Sequence, residues 1–235
     1  MHPSRTHSGF TLIELLTVIA IIAVLMGLLL PALNPATSGV KRAAASNDIK
    51  QFTVAVKAFY TDYGVYPIDS AIEAAAPKDV EYGASTDSYH NQEIVNVLRG
   101  DTLATDTLST SGSSPSFVNP RQVIYLDVPS VKDPTNPKSG LGTGKETNGI
   151  TAKSGEWYDP WGEPYIIAID GNYDGFVQSN PGVLLQYQDI TYATVNGHNA
   201  VQAGVIGGSF GSDRIQGSAT NPGHYKNSDD VLSWQ

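Results

Sequence analysis

From Phe10 to Leu30 the chain reads FTLIELLTVIAIIAVLMGLLL, an apolar run carrying one charge, Glu14. About 20 apolar residues are enough to span a bilayer as a helix, the form in which a chain satisfies its own backbone hydrogen bonds. Basic residues stand on both sides, Arg5 before the run and Lys41 and Arg42 after it, so loop charge sets the orientation only weakly. A secretory signal or a simple anchor is the plainest explanation. A cleavable signal should end in a small-residue site, whereas this run passes directly into Pro31-Ala32-Leu33-Asn34-Pro35.

Glu14 sets the run apart from a plain anchor. A carboxylate in hydrocarbon costs roughly 2.5–3.5 kcal/mol on insertion scales, so it calls for a partner or a snorkelling position near the interface. Phe10 lies one helical turn earlier. A cut between Gly9 and Phe10 would place a new ammonium group in the same layer, able to neutralise Glu14 within one chain or between neighbours.

The remaining residues are those of a globule. Hydrophobic residues make up 40% of the 235 and charged ones 16%, against roughly 25% charged in an average domain, which excludes wholesale disorder. The net charge of −9 argues against a generic nucleic-acid binder, which needs a basic face to release phosphate counterions. Cysteine is absent, removing disulfides, thiolate metal sites and cysteine nucleophiles together.

Residues 10–62 read as one long helix interrupted near Pro31 and Pro35, each of which removes a backbone donor. Apolar periodicity resumes with Ile49, Phe52, Val56, Phe59 and Tyr60 at spacings of three and four. Gly64 and Pro67 end the helix. A short helix is expected over residues 91–98 and strands over 122–128, 165–169, 175–178, 189–194 and 201–210. The Ser/Thr-rich stretch 102–116 and the Gly/Pro-rich stretch 132–155 read as loops.

Catalysis has little support. His2, His7, His90, His198 and His224 share no metal-ligand spacing, and no phosphate-binding glycine pattern occurs, so no catalytic residue is assigned. Calcium, a hard cation taking six to eight oxygens, is the better candidate. Asp170-Gly171-Asn172-Tyr173-Asp174-Gly175 matches the opening of an EF-hand loop, but position twelve is Pro181 rather than Glu and a strand precedes it. Asp170, Asn172 and Asp174 therefore stand as an alternative metal set against an ordinary hairpin turn. Asp213 and the adjacent Asp229 and Asp230 form a second acidic group, readable from the residues alone either as solvated turn aspartates or as cation ligands.

Four motifs carry a resemblance. Ser8-Gly9-Phe10-Thr11-Leu12-Ile13-Glu14-Leu15-Leu16 resembles the processing site of type IV pilin-like proteins. The stretch FYTDYGVYP at 59–67, DPWGEPY at 159–165 and the ending DDVLSW at 229–234 resemble the major (G-type) pseudopilins of type II secretion systems. The resemblance covers about residues 10–67 and 157–235, with a longer, unmatched middle.

It implies an α+β fold: a long N-terminal helix, its first half membrane-spanning, packed on a small antiparallel sheet with long loops. Residues 1–9 would be the leader, 10–35 the transmembrane and filament-core segment, and 36–235 the head. Prepilin peptidase would cleave between Gly9 and Phe10, Phe10 would be N-methylated, and Glu14 would recruit the next subunit. Asp213, Asp229 and Asp230, with a carbonyl such as that of Phe210, would hold a structural calcium ion.

The partners so implied are further copies in a helical homopolymer, the inner-membrane assembly platform and minor pseudopilins, with the head in the periplasm. The lack of cysteine leans the same way, since Gram-negative type IV pilins often close their C-terminal loop with a disulfide. Two rivals remain open. One is a type IV or DNA-uptake pilin, the only reading that brings in nucleic acid. The other is a tethered binding module stacking carbohydrate on Tyr66, Trp157 and Trp161.

Overall fold

The computed structural model describes residues 10–68, 79–83, 90–100, 119–144, 146–147, 150–151, 155–178, 183–218 and 220–235. The expected loop at 102–116 lies outside them. The chain divides into two compact units, one up to residue 40 and one from residue 41 to the C-terminus.

Helix α1 runs Leu12–Tyr63. Its backbone stays helical at Pro31 and Pro35, so the expected interruption is absent. A proline removes one donor and crowds one carbonyl, and the bonds of the surrounding turns can carry the helix past it. In the first unit every described side chain of α1 is solvent-exposed, with Leu12 at 87% and Ile22 at 47%. Among the described residues no helix is long and apolar enough to cross a membrane. Of residues 28–36, within the apolar run and just beyond it, only the backbone is described. The helix stops at Gly64, which adopts φ +72° and returns its N–H to the Tyr60 carbonyl at 2.8 Å.

In the second unit α1 has two faces. Ala45, Ile49, Phe52, Val56 and Phe59 are buried, and Lys50, Val54, Lys57 and Thr61 are exposed. After α1 come β1 (Val80–Tyr82), α2 (Asn91–Arg99), β2 (Gly140–Leu141), β3 (Glu146–Thr147), β4 (Ile150–Thr151), β5 (Trp157–Tyr158), β6 (Ile166–Ile169) and β7 (Val177–Gln178). Then follow β8 (Ala193–Val195), β9 (His198–Val201), β10 (Val205–Ser209), β11 (Gly217–Ser218), β12 (Asn221–Pro222) and β13 (Val231–Leu232).

The central sheet is antiparallel with order β1-β6-β10-β13, and β7-β9-β8 form a second, three-stranded sheet. Alternation along the central strands creates two cores. Ile167, Ile169, Val205 and Val231 join the buried face of α1 together with Ile94 and Leu98 of α2. Ile166, Ala168, Ile206 and Leu232 pack against Leu184, Leu185 and Tyr187 on the other side. Gly207 and Gly208 make both contacts possible. A Cβ on Gly207 would stand 3.0 Å from Ile49, and one on Gly208 would stand 2.6 Å from Leu184.

The α+β expectation and the helix near 91–98 agree with what is seen. Three expected strands differ, and the stretch 132–155, expected as loop, carries β2, β3 and β4. Of residues 189–194 only Ala193 and Thr194 belong to a strand; Asp189 sits in a turn and accepts from the Tyr225 and Lys226 N–H groups. Residues 122–128 form no strand, because their backbone groups are taken elsewhere. The Tyr125 and Leu126 N–H groups both reach the Leu98 carbonyl, and Asn119 takes up the N–H and C=O of Val123. The expected strand 201–210 is divided: β9 ends at Val201, residues 202–204 bend, and β10 begins in the other sheet.

The motif DPWGEPY folds around one carboxylate. Asp159 Oδ1 accepts from the N–H groups of Trp161, Gly162 and Glu163 at 2.8, 2.7 and 3.0 Å, and Oδ2 accepts from the Ser209 hydroxyl at 2.6 Å. Trp157 and Trp161 are only 2% and 8% exposed, and the half-buried Tyr66 stacks with Tyr60 and with Tyr173. Sugar stacking on Trp157 and Trp161 is thereby corrected, since the indoles serve the core, and the Tyr66 ring is engaged by two neighbouring tyrosines.

Candidate functional site

Two places bear on function, one at each end of the chain. Gly9 lies outside the described residues. Phe10 is 74% exposed and Thr11 precedes the first helical residue. Thr11 and Glu14 stand in the T-x-x-E relation of a capping box. The Thr11 N–H and hydroxyl both donate to Glu14 Oε2, at 2.8 and 2.7 Å, while the Glu14 N–H donates to Thr11 Oγ1 at 3.3 Å. The carboxylate thus finds a partner inside its own subunit and satisfies an orphan donor of the helix start. Reading Glu14 by its charge alone overlooked this, although the T-x-x-E spacing ahead of an apolar run was visible.

At the other end, Asp213, Asp229 and Asp230 come together. Each offers a carboxylate oxygen, and these oxygens lie within 4.8 Å of one another. The turn after β10 begins at Gly211, with φ +69°, where any Cβ would strike the Asp229 carboxylate at 2.5–2.7 Å. Asp229 Oδ2 accepts from the Ser212 N–H at 2.6 Å and from the Ser212 hydroxyl. Asp213 Oδ1 accepts from the Ile215 N–H at 3.0 Å. Phe210, whose carbonyl was the fourth expected ligand, leads into this turn with its ring against the second core.

Asp230 is the most constrained of the three. It is 1% exposed, and its Oδ2 accepts from the Tyr187 hydroxyl at 2.6 Å and the Gly217 N–H at 2.7 Å. Arg42 on α1 donates to its backbone carbonyl at 3.4 Å. Its Oδ1 is buried with no hydrogen-bond partner among the described residues. A buried carboxylate oxygen left unpaired is expensive unless a proton or a cation meets it. Burial, above all, pushes the Asp230 carboxyl up to about 6 against its two hydrogen bonds, and the charges of Asp229 and Asp213 push the same way.

Three carboxylates with an unused buried oxygen are a hard-oxygen donor set, and they fit a calcium ion. Tyr187 and Gly217 escaped sequence reasoning, since no local pattern marks a residue that grips a distant aspartate.

The other acidic loop is arranged differently. Asp170 accepts from the N–H groups of Asp174 and Gly175, Asn172 from Asp174, and Asp174 from Phe176, so each oxygen closes a turn of its own loop. Asp79 grips the same loop through Gly171 and Gln178, and its carboxyl is pushed up to about 6, first by burial. The structure brings Asp170, Asn172 and Asp174 together as a turn. That turn holds Tyr173 at φ +60° with its ring on Tyr66, at a centroid distance of 5.4 Å.

Comparison with known proteins bears on the N-terminal end and on the family. A family model described as the prokaryotic N-terminal methylation motif matches residues 4–30. The fimbrial protein EcpC of Eikenella corrodens is 32% identical over 108 residues, covering 46% of this chain and 67% of that one. No solved structure matches. With its N-terminal methylation motif, a fimbrial relative, and a long N-terminal helix followed by antiparallel sheets, the chain belongs to the type IV pilin-like proteins.

Proposed function

We propose that this chain is the major pseudopilin of a type II secretion system. In this reading it is a structural, non-catalytic subunit cleaved between Gly9 and Phe10, N-methylated at Phe10, and held in the inner membrane by its apolar segment until it assembles. The subunits then stack through that segment into a periplasmic helical filament that helps drive protein export. The observation that carries the filament reading is the N-terminal helix. From Phe10 to Met26 its large apolar side chains are 46–87% exposed, which only lipid or other subunits can cover. Lipid tails are as apolar as the helix, so packing and the Glu14 carboxylate must direct the exchange from membrane to filament.

A calcium ion held by Asp213, Asp229 and Asp230 would cross-link the C-terminal loop in place of a disulfide and stabilise the head by mass action. This favours a pseudopilin. The fimbrial relative favours the second reading, a surface type IV pilin. Expression of the full chain with a prepilin peptidase and a type II assembly platform tests the choice. Filaments built of chains beginning at methylated Phe10, and lost on chelation of calcium, are expected. Processed chains that form filaments only with a pilus assembly system would decide for the pilin.

A further inference from the structure

Two surface patches of the second unit are complementary, and neither has a partner among the described residues. The first is the outer face of α1, where Lys50, Val54 and Lys57 recur at i, i+4 and i+7, opposite the buried Ile49, Phe52, Val56 and Phe59. Val54 is 65% exposed, and neither lysine forms an ion pair among the described residues. The second is the strap that crosses the end of α2. Leu126 and Val128 are buried in the core, while Ile124 is 67% exposed and Asp127, three residues on, is exposed too. The strap is anchored, since its Tyr125 and Leu126 N–H groups are bound to the Leu98 carbonyl.

We propose that, in the filament, Lys50, Val54 and Lys57 of one copy dock on Ile124 and Asp127 of the next. This rests on the filament reading above. The helix patch sets an exposed valine between two lysines, and the strap offers an exposed isoleucine and, three residues on, an acidic side chain. On a chain of net charge −9, two neighbouring lysines around an exposed valine mark where an acidic copy can approach. Arg121, the nearby strap cation, is held over the Tyr63 ring at 4.7 Å and against the Asp62 carbonyl at 3.1 Å. Because the two patches share no residue, the contact can repeat head-to-tail from copy to copy, as an open filament requires.

The chain has no cysteine, which makes the test clean. Val54→Cys and Ile124→Cys are introduced into the full chain, singly and together, and assembled filaments are oxidised with copper phenanthroline. A ladder of disulfide-linked multimers is expected from the double variant, dimers from the two single variants co-expressed, and monomers from either alone. Lys50→Glu/Lys57→Glu should lower filament yield at least tenfold, and adding Asp127→Lys should restore it. Filaments of wild-type yield from the double variant that give no ladder would overturn the docking proposal alone. Loss of duplex DNA retention by Lys50→Glu/Lys57→Glu, with filament yield unchanged, would assign the lysines to nucleic acid and also overturn it. A processed wild-type chain that forms no filaments would overturn the filament reading, and this proposal with it.

Discussion

Thr11 and Glu14 hold each other at the first turn of α1, with the hydroxyl and N–H of Thr11 both on Glu14 Oε2 and the Glu14 N–H on Thr11 Oγ1. In an isolated subunit this pair gives the carboxylate a polar partner where the surrounding side chains are apolar. Any pairing of Glu14 with a neighbour's N-terminus has to compete with it.

Replacement of Glu14 should therefore act on assembly rather than on the head. Glu14→Ala is expected to leave cleavage after Gly9 intact and to abolish filaments, as read by intact mass and by the sheared filament fraction. Thr11→Ala removes a helix cap worth about 1 kcal/mol and should give a partial loss of filaments with normal processing. Equal filament yields from Glu14→Ala and wild type would remove the assembly role.

The acidic cluster should make calcium stabilisation depend on pH. Asp230 titrates near 6 in the fold, above the ordinary carboxylate value, so its neutral form is the one the cation-free head prefers. For that head the contribution of Asp230 is fully present below the unfolded value near 4 and lost as pH rises through about 6. A calcium ion held there would reverse the preference, because it would bind the charged carboxylate. Thermal melts of the head at pH 7.5 should show a clear rise in midpoint with calcium over EGTA, shrinking toward pH 5. Asp229→Ala/Asp230→Ala should melt at one temperature in both solutions. A calcium-dependent rise that survives in this variant but disappears in Asp170→Asn/Asp174→Asn would move the cation to the other loop.

Much of this was legible because it is local. The T-x-x-E start, the periodic face from Ile49 to Phe59 and the Gly64 stop lie within short windows, where periodicity and capping report directly on structure. The strap at 122–128 was misread for a physical reason. Alternation of apolar residues predicts which side chains face inward, and Leu126 and Val128 do, but it cannot say which carbonyl the backbone will find. The acidic cluster was half legible. Asp213, Asp229 and Asp230 could be named from composition and resemblance, whereas the Tyr187 and Gly217 groups that grip Asp230 come from elsewhere in the chain.

Asp159 should be among the least replaceable polar residues in the head. It is buried and satisfies three N–H groups of its own turn, and its bond to Ser209 ties that turn to β10. Asp159→Ala strands those donors, and each buried donor left unsatisfied costs about 1–3 kcal/mol. Loss of several kcal/mol in urea unfolding is expected, with precursor accumulating poorly in cells. A shift below about 1 kcal/mol would mean that water replaces the carboxylate without difficulty.

Gly211 offers a test that separates the proposed cation binding from folding. At φ +69°, with the Asp229 carboxylate 2.5–2.7 Å from where a Cβ would stand, alanine is strained by the backbone and also displaces that carboxylate. The backbone strain alone costs roughly 1 kcal/mol, small against the stability of a domain. Gly211→Ala is therefore expected to fold, with a modestly lowered melting point in EGTA, and to lose most of the rise that calcium gives the wild type. Gly223→Ala, at φ +77° but next to the Gln188 side chain rather than a ligand, is the matched control: it should carry the same backbone strain and keep the calcium response. If both variants lose the response equally, the cation senses the order of the whole C-terminal loop. If only Gly211→Ala does, the position of the Asp229 carboxylate is what the glycine protects.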